Sequence, residues 1–136
     1  MSDRGLCRIS SPELRAPSAG QAVAVDILAR RLASLPKEIR GLTLSGGEPF
    51  DQAPALAELL AFLDRTRPEW DVIAYSGYSM RCLETRQETD SLLALVDILV
   101  DGPYHAKEPP RHFLAGSGNQ RIHRLSGKGR ELAREM

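Results

Sequence analysis

The chain has 136 residues, of which 42% are apolar and 26% are charged, a composition that excludes a disordered chain and fits one globular domain. Eighteen Lys and Arg residues balance eighteen Asp and Glu residues, so no overall charge attracts nucleic acid or an anionic membrane. No apolar run reaches the roughly 18 residues of a membrane span, and no signal-peptide segment follows the first residues, so we expect a cytoplasmic protein.

Helices and strands alternate along the predicted chain. Apolar residues from Val25 to Leu35 recur with helical spacing, and Pro36 ends this first helix. The next predicted elements are a strand at 41–45, a helix at 53–63, a strand at 71–76, helical turns at 79–84 and 91–96, a strand at 98–100 and a final strand within 119–125. Because each helix can serve as the crossover between two parallel strands, we predict an α/β fold of parallel βα units.

The predicted domain organisation is simple. No internal repeat is present and no linker divides the chain, so we predict a single domain over residues 1–136. The last residues, 126–136, are rich in charge and poor in apolar side chains. We expect them to form a frayed tail.

The first three predicted strands end in short, polar turns that carry glycine. These turns are Ser45-Gly46-Gly47-Glu48, Ser76-Gly77-Tyr78 and Asp101-Gly102-Pro103-Tyr104. Because ligands of parallel α/β folds bind at the carboxyl ends of the strands, the three turns are predicted to converge on one binding edge. A further segment, Gly116 to Arg121, combines two glycines, two amides and a guanidinium, and it either reads a peptide backbone or nucleotide edge or forms a flexible turn.

Each turn residue also has a purely structural interpretation. Gly46 and Gly47 can bring the backbone close to a ligand, or they can simply form a tight turn. Glu48 can accept a hydrogen bond from a ligand amino group, or it can favour the start of the next helix. Ser76 and Asp101 can bond a ribose or an ammonium group, or they can cap a turn. The residues alone leave these alternatives open.

The sequence offers few metal ligands. Its two cysteines, Cys7 and Cys82, are too few for a cysteine-only metal site. His105, His112 and His123 show no close ligand spacing, and we expect them to be surface or packing residues.

Four segments together resemble the radical S-adenosylmethionine activating enzymes, and among them the proteins that activate anaerobic ribonucleotide reductase. The segments are 42–52, 71–78, 98–104 and 116–123, in this order and at these intervals. The resemblance implies a partial βα barrel that is truncated here, because the first strand of the family's barrel has no counterpart in this chain.

The resemblance also implies an S-adenosylmethionine site. Its implied ligand-binding residues are Ser45, Gly46, Gly47, Glu48, Ser76, Asp101 and Asn119. Gly46, Gly47 and Glu48 would hold the amino group of the ligand, and Ser76 and Asp101 would face it from the next strand ends. Asn119, with Gln120 and Arg121, would lie near the adenosine or near the radical loop of the partner.

A reaction follows from the same resemblance. In the family, a Cys-x-x-x-Cys-x-x-Cys loop binds a 4Fe-4S cluster that donates one electron to S-adenosylmethionine, and the 5′-deoxyadenosyl radical takes hydrogen from a glycine of the partner. The implied partner is a glycyl radical enzyme of the anaerobic ribonucleotide reductase type. In the corresponding segment, 4–10, this chain has one cysteine, Cys7, which is interpreted as a remnant metal ligand.

Three hypotheses account for the missing cysteines. The first is an activating enzyme whose chain is short or miscalled at its amino terminus, so that the cysteine loop lies upstream. The second is a degenerate member that binds S-adenosylmethionine, or only docks to a partner, and is inactive in radical chemistry. The third is a non-catalytic βα interaction module whose glycines only form turns. Without the family's first strand, the strand that begins near Gly41 is expected to expose one edge.

Overall fold

The computed structural model of the protein describes residues 22–135. The described helices are α1 (Val25–Ala33), α2 (Ala53–Thr66), α3 (Met80–Glu84), α4 (Asp90–Leu93) and α5 (Gly127–Glu135). The described strands are β1 (Gly41–Leu44), β2 (Asp71–Tyr75), β3 (Ile98–Asp101) and β4 (Arg121–Arg124), and 3-10 turns at Pro49–Gln52 and Gln87–Thr89 precede α2 and α4. The predicted alternation of helices and strands is confirmed. Between residues 22 and 135, no helix is long and apolar enough to cross a membrane.

The strands form one sheet in the order β1-β2-β3-β4. β1, β2 and β3 run parallel, as predicted, and β4 runs antiparallel to β3. β4 differs because the chain returns from β3 through the loop 102–120, which has no crossover helix to bring it round to the parallel direction. Within the described residues β1 lies at an edge of the sheet, as predicted. The fold is therefore a mixed α/β arrangement, and the partial barrel stays a prediction.

The core lies between the sheet and the helices that follow its strands. β3 is buried along its whole length, as a strand between two neighbours should be, and β2 alternates between buried and half-buried residues. α2 presents Leu59, Leu60 and Leu63 to this core, where they join Phe50 and Leu83. The apolar periodicity that predicted α2 therefore also predicted which of its faces is buried.

Residues 127–135 form α5, where the sequence predicts a frayed tail. Gly129 is buried at the start of this helix, and a Cβ atom there would lie 2.0 Å from the carbonyl oxygen of Asp97. The ammonium group of Lys128 donates to the carbonyl oxygens of Pro68 (3.1 Å) and Trp70 (2.8 Å). Gly129 allows the start of α5 to lie against the backbone of Asp97, and the hydrogen bonds of Lys128 hold this charged helix there.

Arg67 connects the end of α2 to the segment that leads from α1 into β1. Its guanidinium donates to the carbonyl oxygens of Leu35 (2.7 Å), Ala33 (3.2 Å), Pro36 (3.3 Å) and Ile39 (3.4 Å). Its Nε also donates to Glu69 at 2.8 Å. Carbonyl groups at a helix end lack intrahelical partners. The side chain of Arg67 therefore supplies hydrogen-bond donors to the carbonyls at the end of α1 and in the irregular segment that follows it.

We expect Arg67→Lys to lower the free energy of unfolding by about 2–4 kcal/mol, because an ammonium group cannot reach the same set of acceptors as a planar guanidinium. Urea unfolding of the two proteins measures this difference. Arg65→Lys is the matched control, since Arg65 lies exposed on the same helix without a hydrogen bond or ion pair to any residue in 22–135. Equal effects of the two substitutions would contradict this role of Arg67.

Candidate functional site

The turn after β1 and the turn after β2 are joined by the carboxylate of Glu48. Its Oε2 accepts hydrogen bonds from Ser76 Oγ (2.8 Å) and from the amide of Phe50 (3.2 Å). Its Oε1 accepts from the amide of Gly77 at 2.8 Å. Glu48 therefore does more than begin a helix: it fixes two strand ends, which are 28 residues apart in the sequence, at one edge of the sheet.

Glu48 is a buried acid that has no countercharge among residues 22–135. Burial raises the pKa of its carboxyl above the usual value of 4.5, and the negative charge of Asp51 adds to this rise, while the hydrogen bonds from Ser76, Gly77 and Phe50 oppose it. No Lys, Arg or His within the described part of the chain forms an ion pair with Glu48. Since Oε1 accepts one hydrogen bond, it can accept another, and a cationic donor would offset the cost of burying the charge.

The glycines before Glu48 present free backbone to solvent. Gly46 and Gly47 are exposed, and their N–H groups have no hydrogen-bond partner among residues 22–135. Gly46 has φ +92°, a conformation that side-chain-bearing residues rarely adopt. A cleft of about 210 Å³ lies beside this turn and is lined by Ser45, Gly47 and Glu48, among others. The cleft can thus offer a ligand both backbone donors and a carboxylate.

Asp101, at the end of β3, faces the same region. Its Oδ2 accepts from the amide of Met80 at 2.5 Å, and the amide of Gly102 donates to the carbonyl oxygen of Tyr78. Its Oδ1 lies 3.0 Å from Nε2 of His123, yet the two atoms are not aligned for a hydrogen bond, and neither has another partner in the described residues. The two buried atoms are within ion-pair distance, but neither has a hydrogen-bond partner among the described residues, so a ligand or water that supplied one would be favoured.

The sequence predicted His123 to be a surface or packing residue and did not predict its contact with Asp101. The antiparallel register places His123 opposite Leu99 and Arg121 opposite Asp101. Residues two apart on a strand share one face of the sheet, so His123 and Asp101 are diagonal neighbours. The sequence alone does not show that these two residues are neighbours, because their contact depends on the pairing of β4 with β3 in this register.

The segment 116–121 packs against the turn after β3. The side-chain amide of Asn119 donates to Pro103 O (2.7 Å) and its Oδ1 accepts from Ser117 Oγ (2.6 Å). Gln120 donates to Gly102 O at 3.0 Å and accepts from the amide of Gly116 at 2.7 Å. These amides hold the loop in place, so the predicted ligand contact of Asn119 stays a prediction.

Most residues of the predicted site lie together where β1, β2 and β3 end; we call this end of the sheet the carboxyl edge. Glu48 and Ser76 are in direct contact, and Asp101 reaches the same turn through Met80. Cys7, the predicted remnant metal ligand, lies outside the described residues. Across residues 22–135, no group of three or more His, Cys, Asp or Glu side chains is arranged to hold a metal ion.

Comparison with known proteins gives a consistent result. Residues 6–123 match the family described as "4Fe-4S single cluster domain". The anaerobic ribonucleoside-triphosphate reductase-activating protein of Haemophilus influenzae is 33% identical over 74% of this chain and 68% of its own length. The proteins of the same name from Vibrio cholerae (36% identical, 64% of this chain and 57% of that protein) and from phage T4 (28% identical, 76% and 65%) are also similar. The chain thus spans less than two thirds of the Vibrio and phage proteins. No solved structure matches it significantly.

We expect the stability difference between the wild type and Glu48→Gln to depend on pH. Because the carboxyl pKa is raised in the folded state, this group stabilises the fold below its usual pKa of 4.5, and this contribution is lost as the pH rises through the raised value. Gln does not titrate, so the free energy of unfolding of the wild type relative to Glu48→Gln should fall as the pH rises above the usual carboxyl pKa of 4.5.

Urea unfolding at a series of pH values measures this difference. Glu58→Gln, which removes an exposed acid of α2, shows how much of the slope comes from losing any one carboxylate. A difference that stays constant or rises with pH would show that the folded state does not raise the pKa of Glu48.

Proposed function

The chain belongs to the family of anaerobic ribonucleoside-triphosphate reductase-activating proteins, and on that premise we propose that its carboxyl edge binds S-adenosylmethionine. One observation carries this proposal: Glu48 is a buried carboxylate that pairs with no cation among residues 22–135, and it lies beside the exposed backbone of Gly46 and Gly47. S-Adenosylmethionine carries an ammonium group, which would pair with Glu48, and a carboxylate, which suits free backbone N–H groups.

The unsatisfied pair at the end of β3 supports the same proposal. Oδ1 of Asp101 and Nε2 of His123 are buried and have no hydrogen-bond partner within residues 22–135. A ribose hydroxyl both donates and accepts, so it could bond to each of them. Asp101, which the sequence predicted, and His123, which it did not, would then form one wall of the pocket, with Glu48 and Ser76 on the other.

The 4Fe-4S cluster implied by the family does not fit the residues present. A cluster that leaves one iron open to S-adenosylmethionine needs three thiolates, and the 136 residues contain two cysteines. In the described part of the chain no other side chains replace them as a ligand set. We therefore propose that this chain by itself binds S-adenosylmethionine without cleaving it.

The proposed partner is an anaerobic ribonucleotide reductase of the glycyl radical type. The similar proteins from Haemophilus and Vibrio are named as activators of such a reductase. The edge that carries Glu48 and Asp101 would be the surface that this partner approaches, because the reacting ligand would lie there. If the edge binds no S-adenosylmethionine, docking to the partner is the remaining proposal.

Isothermal titration calorimetry with S-adenosylmethionine tests the binding proposal. We expect saturable binding to the wild type, and at least about tenfold weaker binding to Glu48→Gln, because the substitution removes a charge-assisted hydrogen bond of about 1.5–3 kcal/mol. Glu58→Gln should bind like the wild type, since Glu58 lies exposed on α2. Undetectable binding to the wild type, or equal binding to Glu48→Gln, would refute this site.

Anaerobic reconstitution with iron and sulfide tests the statement about the cluster. We expect no stable, site-differentiated 4Fe-4S signal in electron paramagnetic resonance from the 136-residue chain, because it lacks a third thiolate. A reproducible cluster signal accompanied by cleavage of S-adenosylmethionine would contradict this expectation.

A further inference from the structure

A second cavity lies at the end of the sheet opposite to Glu48. It has a volume of about 140 Å³ and lies between α2 and the residues that lead into β2 and β3. Its apolar wall includes Leu60, Leu63 and Val72. Trp70 and Asp97, which directly precede β2 and β3, supply buried polar groups to the same cavity. Because the amino ends of these parallel strands lie here, the cavity is separate from the carboxyl edge.

The indole of Trp70 is the unsatisfied group in this cavity. The residue is 3% exposed, and its Nε1 has no hydrogen-bond partner within residues 22–135. The carboxylate of Asp97 accepts from the amide of Val72 (Oδ2, 2.7 Å) and from Ser126 Oγ (Oδ1, 2.6 Å), and it forms no hydrogen bond with the indole. A buried donor without an acceptor is costly, and none of residues 22–135 supplies one here, so an oxygen or nitrogen acceptor that enters the cavity would gain a hydrogen bond.

The charges around the cavity favour a neutral occupant. Arg67 and Lys128 line it together with Asp64 and Asp97, so two positive charges balance two negative ones. The ammonium group of Lys128 already donates to two backbone carbonyls, and the guanidinium of Arg67 donates to Glu69 and to the α1–β1 connection. An anion would gain no net countercharge here, and it would lie close to the buried Asp97.

The cavity has the size of a small organic molecule. Engineered apolar cavities of about 150 Å³ hold a benzene molecule, and this one is similar in volume. Its apolar wall would contact the hydrocarbon part of such a ligand, and the Trp70 N–H would donate to its oxygen. We propose that this cavity, the Trp70 pocket, binds a small neutral molecule that combines a compact apolar body with a hydrogen-bond-accepting oxygen, such as a ketone.

Binding there would affect the stability of the fold. The Trp70 pocket is formed by α2, the starts of β2 and β3, and Lys128 of α5, so it exists only when these elements are assembled. A ligand that binds only the folded state stabilises it by RT ln(1 + [L]/Kd), so the free energy of unfolding rises with the logarithm of the ligand concentration once that concentration exceeds Kd. The inference depends on the Trp70 pocket alone and does not depend on S-adenosylmethionine binding.

The protein offers its own reporter for this test, because Trp70 is its one tryptophan. In a ¹⁵N-labelled sample the single indole N–H signal can be followed while three probes of similar size are added. Cyclopentanone carries an acceptor oxygen, methylenecyclopentane has the same shape without it, and butyrate is an anion. We expect a saturable shift of the indole signal with cyclopentanone, and at least about tenfold weaker binding of the other two.

Substitutions at Ala94 locate the binding site. Ala94 lines the cavity and is exposed, so Ala94→Phe should fill the opening of the Trp70 pocket without disturbing the core. This variant should abolish the cyclopentanone shift, while Ala94→Ser, which hardly changes the volume, should keep it. Three results would overturn the proposal: no saturable shift in the wild type, which would mean that the pocket holds only water; equal binding of methylenecyclopentane; or tighter binding of butyrate.

Discussion

The carboxylate of Glu48 is the interaction on which the proposed site depends. It is buried at the end of β1, and it holds the hydroxyl of Ser76 and the amide of Gly77 at the end of β2. Asp101 extends the connection by accepting from the amide of Met80. Hydrogen bonds to a charged acceptor are strong, but no cation of residues 22–135 pairs with Glu48, so within this part of the chain the burial of the charge is incompletely compensated. The hydrogen bonds therefore hold the strand ends together without a ligand, and the negative charge of Glu48 would attract a cationic one.

Local patterns in the sequence predicted where the helices and strands lie. Their contacts with one another depend on long-range geometry, which these patterns do not contain. The helical periodicity of α2 and the apolar runs of the strands are properties of neighbouring residues, so their positions could be predicted. The direction of β4 could not, because it depends on how the loop 102–120 returns to the sheet. The contact between His123 and Asp101 could not be predicted for this reason, since only the antiparallel register brings the two residues together.

Two other features depend on contacts that no sequence pattern reveals. α5 has a charged sequence that predicts a frayed tail, yet the burial of Gly129 and the hydrogen bonds of Lys128 attach it to the sheet. Arg67 has the sequence context of an ordinary arginine at a helix end, yet its four carbonyl acceptors lie 28 to 34 residues earlier in the chain. The contact of α5 depends on Lys128 and on the missing side chain of Gly129, and the other contact depends on the side chain of Arg67. Such contacts depend on the three-dimensional approach of segments and not on periodicity.

The proposed ligand site and the 4Fe-4S cluster implied by the family require different residues. The carboxyl edge is formed by strand ends and turns within residues 22–135. The hydrogen bonds of Glu48 and Asp101 that hold it together involve no cysteine. Cluster ligation would need thiolates, and the sequence has two cysteines. The Trp70 pocket lies at the other end of the same strands, so the sheet separates two candidate binding regions of different chemistry. One region suits a charged, zwitterionic ligand and the other a neutral one.

The most direct test of the central claim is to map the amide signals of the ¹⁵N-labelled chain during titration with S-adenosylmethionine. If the edge fixed by Glu48 is the binding site, the amides of Gly46, Gly47 and Gly77 should shift together and saturate. The indole signal of Trp70, at the opposite end of the sheet, should stay in place. Shifts that spare the glycine turns, or that occur first at Trp70, would contradict the account.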